Sequence, residues 1–211
     1  EPALVRLSPA AIDARIERLR ASLSRSGFAE PLLVEAFALI RHASERTLGR
    51  RPYDTQLIAA RVMFDKRVAE MATGEGKTLA AAVCAAAGAL AGVPVHVITV
   101  NDYLVERDAD LMRPLYAALG LTVGHIAAKH DLVTRKQAYA CDITYCTARD
   151  LVFDYLRDRT VRNPLLSDAQ RRAAELDAPG RAASTLLRGL CMAVVDEADS
   201  ILIDEAKTPL I

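Results

Sequence analysis

Hydrophobic positions along this chain fall first on a helical period and then on short strand-like runs. Residues 8 to 26 open with Ser8-Pro9, a cap followed by a first-turn proline, and carry Ile12, Ile16, Leu19 and Leu23 before Gly27 stops the pattern. A second helix over 30 to 48 aligns Leu33, Phe37, Ile40 and Leu48 and ends at Gly49; a third starts with Asp54 as its cap and carries Leu57, Ile58, Val62 and Met63. From there short apolar runs alternate with helical stretches. Strands are predicted at Val68 to Met71, Val95 to Val100, Leu121 to Ile126, Ile143 to Cys146 and Leu190 to Val195. Helices are predicted from Lys77 through an alanine-rich run, over 103 to 119, over 131 to 139 and over 149 to 157. The Val95 to Val100 run is continuous enough to be buried on both faces. Residues 159 to 188 are charged, contain Pro164 and Pro179-Gly180, and read as a long excursion holding one exposed helix. The alternation predicts an α/β fold, a mainly parallel sheet with helices on both faces, preceded by N-terminal helices. The expected division is a helical segment over 1 to 53 packing on a lobe over 54 to 211.

Composition narrows this picture without naming a chemistry. With 211 residues and 52% apolar content the chain can bury a sizeable core, as one large domain or one lobe of something larger. Lys+Arg and Asp+Glu both number 27, so no net positive footprint recommends nucleic acid or an anionic membrane as the main partner. Arg15, Arg18, Arg20 and Arg25 follow a helical spacing and read as a solvated face. Cys84, Cys141, Cys146 and Cys191 lie among apolar residues with no CxxC pair and no histidine at zinc-ligand spacing. All four are expected as small core residues of a reduced, cytosolic protein. The apolar run from Leu79 to Ala91 is too short to span a membrane and is expected as a buried helix.

Chemistry enters at Met71-Ala72-Thr73-Gly74-Glu75-Gly76-Lys77-Thr78, a glycine-bearing turn between a predicted strand and a predicted helix. Gly74 and Gly76 let backbone N–H groups converge on an anion, and the helix starting near Lys77 adds its positive end. Lys77 is placed to reach the outer phosphates of a nucleotide, and the Thr78 hydroxyl to ligate Mg²⁺. Met71 stands where the full pattern has glycine, so this is a variant phosphate loop, and an ordinary glycine turn is the alternative. A second motif weighs against that alternative. Leu190 to Val195 ends in Asp196-Glu197-Ala198-Asp199, which puts two carboxylates at the carboxyl edge of a buried strand, where ligands of open α/β sheets collect. Asp196 can hold Mg²⁺ through a water, and Glu197 can orient or deprotonate the water that attacks a γ-phosphate. The plain reading is an acidic loop capping the next helix. The two motifs, about 120 residues apart with several βα units between them, favour a nucleotide site.

These letters and spacings resemble the first nucleotide-binding lobe of superfamily 2 motors, and longer strings narrow the resemblance to the SecA family of preprotein translocase ATPases. They are Arg51-Pro52-Tyr53-Asp54-Thr55-Gln56-Leu57, Ala69-Glu70-Met71 with Thr73 to Thr78, His96 to Leu104 with Arg107-Asp108-Ala109, Asp142 to Tyr145, Phe153 to Asp158, Val195-Asp196-Glu197, Asp199 to Ala206 and Thr208 to Ile211. The resemblance implies a RecA-like P-loop NTPase lobe. It also implies that Gln56 binds adenine, that Gly74, Glu75, Gly76, Lys77 and Thr78 bind the phosphates, that Thr78 and Asp196 serve Mg²⁺, and that Glu197 and Lys77 act in ATP hydrolysis. Without the resemblance, Gln56 would read as a helix-surface glutamine. Implied partners are a SecYEG-type membrane channel and unfolded preproteins, with room for a secretion chaperone and for a homodimer of the full-length protein. No specific nucleic acid is implied. The implied location is the cytoplasm of a bacterium, peripheral to the inner membrane.

Departures mark a divergent subgroup. Thr147-Ala148-Arg149-Asp150 stands where the family has threonine, two asparagines and an acid, Ala198 stands for the usual valine, and Lys207 for the usual arginine. In the family a polypeptide-crosslinking domain follows the Thr208-Pro209-Leu210-Ile211 string, and the rest of the first lobe and a second, arginine-bearing lobe come after it. This chain is therefore expected to be an incomplete lobe that alone binds nucleotide weakly and hydrolyses it hardly at all. Two alternatives stay open at this point: a nucleic-acid helicase or translocase lobe of the same superfamily, and a non-catalytic nucleotide-sensing or docking module.

Overall fold

The computed structural model describes residue 4, residues 7–161 and residues 185–204. In chain order the elements are α1 (Pro9–Ser26), α2 (Glu30–Leu48), α3 (Asp54–Phe64), α4 (Lys77–Leu90), β1 (Val95–Thr99), α5 (Asp102–Ala118), β2 (Val123–His125), α6 (Leu132–Ala140), β3 (Ile143–Thr147), α7 (Ala148–Val161) and β4 (Met192–Val195), followed by a π-helical turn over Ser200–Asp204. All strand pairs are parallel, in the order β2-β3-β1-β4. The central strands β1 and β3 are buried at every position. Their alternating side chains build two cores. Val95, Val97, Ile143, Tyr145 and Val194 face a core shared with α1, α2, α4 and α5. Ile98 and Cys146 face a second one with Tyr139, Leu151, Leu186 and Ile201. Helices thus cover both faces of a parallel sheet, as the alternation predicts, in the manner of a RecA-like lobe.

The alanine-rich α4 sits at the centre of the first face, and almost every residue from Leu79 to Leu90 is buried. Small side chains let it approach the sheet and its neighbouring helices at once. The tightest point is Gly88, where an added Cβ would lie 2.5 Å from the sulfur of Met192 on β4. That contact fixes how α4, and so the loop before it, is set against β4.

Several expectations are corrected. Val68 to Met71 forms no strand; the stretch has no regular structure, and Val68 is 82% exposed. A strand exists only as a ladder, and β4 pairs with β1 alone among the described residues, so an apolar run without a partner stays open. The strands expected over Leu121 to Ile126 and Leu190 to Val195 shorten to Val123–His125 and Met192–Val195 for the same reason. Asp54 is the first helical residue rather than the cap: Tyr53 caps α3, and its N–H donates to Gln56 Oε1 at 2.9 Å. Only Cys84 and Cys146 are buried, whereas Cys141 is half-buried and Cys191 exposed, because they precede β3 and β4 where the chain enters the sheet. Nor is the arginine series of α1 merely solvated. Arg15 pairs with Glu35 at 2.5 Å, and Arg20 donates to the Gly120 carbonyl at 2.9 Å. The helix expected inside the 159 to 188 excursion lies outside the described residues. The segment leading from that excursion to β4 is tied to α7: the buried Asp158 carboxylate accepts the N–H groups of Leu186 and Leu187 at 2.8 Å each.

Candidate functional site

The phosphate-loop sequence forms a tight turn ending at α4. Gly74 (φ 88°) and Gly76 (φ 81°, ψ 45°) both take the left-handed backbone that glycine adopts without strain. At Gly76 space is equally decisive, since an added Cβ would lie 2.2 Å from Gln56 Nε2. The loop closes on itself: the Ala72 N–H donates to Glu75 Oε2 at 2.9 Å. The Glu75 side chain thus holds the turn, leaving its backbone as the part that can face a ligand. Gly76 caps α4 with no side-chain acceptor, so the positive end of this helix is presented to the loop.

Gln56 on α3 joins this turn to the segment before it. The residue is 5% exposed, its Oε1 accepts from Tyr53 N–H at 2.9 Å, and its Nε2 donates to the Glu75 carbonyl at 2.8 Å. Both bonds fix which way the carboxamide faces. They leave one lone pair on Oε1 and one hydrogen on Nε2.

Across the turn, the Asp196 N–H donates to the Ile98 carbonyl at 2.8 Å, which extends the β1–β4 ladder and sets Asp196 at the carboxyl edge of the sheet. Its carboxyl is half-buried, and burial pushes its pKa above the usual carboxylate value. The nearby charges of Glu197 and Asp108 act in the same direction, while the Glu197 N–H, 3.0 Å away, and the Lys77 ammonium act against it. That Lys77 and Asp196 feel one another is the physical sign that the two distant motifs converge. Glu197 follows in an exposed position at φ 56°, a left-handed conformation that costs a non-glycine residue roughly 1–2 kcal/mol.

A cavity of about 530 Å³ opens beside the turn, within the usual range for small-molecule sites. Gln56, Gly76 and Thr78 border it, as do Pro52 and Tyr53 ahead of α3 and Arg107 and Asp108 from α5. The structure therefore brings Gln56, Gly76 and Thr78 to one cavity and Lys77 within electrostatic reach of Asp196. Gly74 and Glu75 belong to the turn, with the Glu75 carboxylate occupied inside it. Arg107 and Asp108 are the residues that spacing alone leaves without a role; they stand inside one of the family-like strings, and only the packing of α5 beside α4 turns them toward the cavity. Oxygen donors from Thr78 and Asp196 suit a hard cation such as Mg²⁺, which takes few protein ligands and the rest from phosphate and water. No group of three or more His, Cys, Asp or Glu side chains forms a protein-only metal cage among the described residues.

The sequence matches the family model of the SecA DEAD-like domain over residues 1–211. It is 52% identical over 209 residues to protein translocase subunit SecA 2 of Nitrosospira multiformis, covering 99% of this chain and 31% of the relative. Protein translocase subunit SecA 2 of Bordetella avium is 49% identical over 209 residues, 99% of this chain and 32% of the relative. Protein translocase subunit SecA of Cellvibrio japonicus is 47% identical over 211 residues, all of this chain and 21% of the relative. The chain thus spans about a fifth to a third of the length of these curated relatives.

Proposed function

We propose, from the premise that the chain belongs to the SecA DEAD-like domain family, that this SecA-type motor domain binds ATP for a translocase that couples its hydrolysis to movement of unfolded preproteins across a membrane. The observation that carries the reading is Gln56, whose carboxamide borders the cavity and is hydrogen-bonded to the phosphate loop. Held by Tyr53 N–H and the Glu75 carbonyl, it offers one acceptor and one donor side by side. The adenine edge presents the complementary N6–H donor and N7 acceptor, whereas guanine presents two acceptors there. Base choice and phosphate-loop geometry would then rest on one side chain.

In this reading the backbone of Gly74, Glu75 and Gly76 and the open end of α4 cradle the phosphates, and the Lys77 ammonium meets the outer ones. Thr78 and, through water, Asp196 would hold Mg²⁺, which when bound neutralises phosphate charge. Glu197 orients the attacking water, and its left-handed backbone is the kind of local strain that collects at reacting positions. Residues 1–53 act as a helical flank of the lobe that occupies 54–211. Because the chain spans only part of its relatives, efficient turnover is assigned to the intact protein. The same holds for contacts with a SecYEG-type channel, preproteins or a chaperone, for any homodimer, and for residence in the cytoplasm against the inner membrane. No helix among the described residues is long and apolar enough to cross a membrane.

The test is calorimetric titration of ATP, ADP and GTP into the protein. Adenine nucleotides should bind more tightly than GTP, and Lys77→Ala should weaken them by about tenfold or more. Equal affinity for GTP, or binding indifferent to Lys77→Ala, would refute the reading.

A further inference from the structure

Neither nucleotide motif uses Asp108, yet it is among the most buried charged side chains in the structure, 2% exposed near the middle of α5 and bordering the cavity. A buried ion pair is a poor device for stability, since desolvating the charges offsets most of their attraction. The form of the pairing is more informative. Asp108 Oδ1 accepts from Nε of Arg107, its immediate neighbour, at 2.8 Å, and Nη2 of the same guanidinium lies 2.7 Å from that oxygen.

Consecutive helical residues do not face each other. Arg107 can reach Asp108 only by folding its side chain back along the helix surface, toward the cavity both residues border. Tyr103, one turn earlier, lies against the same guanidinium, with the guanidinium carbon 6.0 Å from the ring centroid. Ion pair and ring together hold a side chain that is otherwise about half exposed. The group so held is planar, and guanidinium planes stack on flat rings. Pro52, Tyr53 and Gln56 border the same cavity.

We infer that Asp108 is a positioning residue: by gripping Arg107 it fixes the guanidinium as one wall of the base end of the cavity, so that affinity for the nucleoside part of a nucleotide depends on Asp108 acting through Arg107. This rests on the nucleotide reading of the cavity given above. Through Arg107, Asp108 sets how firmly the base is held.

Two ligands separate the ends of the site: ADP, which has a base, and inorganic tripolyphosphate, which has none. Both are titrated into wild type, Lys77→Ala, Asp108→Asn, Asp108→Glu, Arg107→Lys and the Asp108→Asn/Arg107→Lys double variant, with melting temperatures recorded without ligand. Asp108→Asn removes the pair without stranding a buried charge, and Asp108→Glu keeps the charge but displaces the guanidinium. Each of these, and Arg107→Lys, should weaken ADP by about fivefold, the scale of one arginine–ring contact, while tripolyphosphate affinity stays at the wild-type value in Asp108→Glu and Arg107→Lys, which keep the carboxylate charge in place. The double variant should be no weaker than either single. Losses that multiply in the double variant, equal losses for both ligands in Asp108→Glu or Arg107→Lys, or a lowered melting temperature with unchanged ADP affinity would each overturn the inference. If Lys77→Ala weakens neither ligand, the nucleotide reading itself fails and takes the inference with it.

Discussion

Adding a methyl group at Gly76 tests the link between the base end and the phosphate end of the cavity. Gly76 holds φ 81°, and its Cβ would meet Gln56 Nε2 at 2.2 Å. The backbone term for alanine in a left-handed conformation is about 1–2 kcal/mol. The clash is with the far end of a flexible side chain, so Gln56 would swing away. Doing so sacrifices its bonds to Tyr53 N–H and the Glu75 carbonyl, about 1 kcal/mol each. Gly76→Ala should therefore cost roughly 3–4 kcal/mol by urea denaturation. In a Gln56→Ala background the obstacle is already gone, and the same substitution should cost only the backbone term, about 1–2 kcal/mol. Gly74→Ala, at φ 88° with nothing within 4 Å of the added Cβ, supplies the independent measure of that term. If Gly76→Ala costs the same with and without Gln56, the two residues are not coupled and the reasoning fails.

Other perturbations probe separate parts of the molecule. Arg135→Met should destabilise the fold by about 3–5 kcal/mol in urea, because Asp150 and Asp154, each 2.8 Å from the guanidinium and nearly buried, would be left unpaired; a loss below about 1 kcal/mol would show that the network is better hydrated than its burial implies. His96 is buried in β1 with Nδ1 unpartnered, and burial holds its pKa below the ordinary value, so its protonation favours the unfolded chain. Stability should be fully present above about pH 6.5 and fall as pH drops from there toward the lower folded-state pKa. In melting curves between about pH 5 and 8, His96→Gln should show a shallower acid slope than wild type. Glu197→Gln in the intact protein should retain ATP binding and abolish turnover, followed by phosphate release; unchanged turnover would remove Glu197 from its role.

Periodicity and composition together were enough to determine the layered plan of this protein. β1 and β3 are rich in β-branched and apolar residues because both their faces are covered, and α4 is alanine-rich because it is enclosed on every side, so burial left a direct mark on the letters. The glycine turn before α4 was legible for a related reason: left-handed backbone at Gly74 and Gly76 demands glycine, and the phosphate and metal chemistry proposed for the turn and the Asp196-Glu197 pair calls for lysine, hydroxyl and carboxylate at fixed local spacing. Tertiary structure decided everything that depends on partners distant in sequence. Val68 to Met71 has the composition of a strand yet forms none, since a ladder requires a second strand that local sequence cannot supply. Gln56 by spacing alone reads as a helix-surface glutamine; packing buries it and turns it to the Glu75 carbonyl 19 positions away. Arg107 and Asp108 look like an ordinary charged pair on a helix until the packing of α5 beside α4 turns them toward the cavity. Local sequence thus marked most of the elements, while the meeting of Gln56, Gly76, Thr78 and Asp108 around one cavity is a property of packing, in which long-range contacts choose among faces that sequence leaves equivalent.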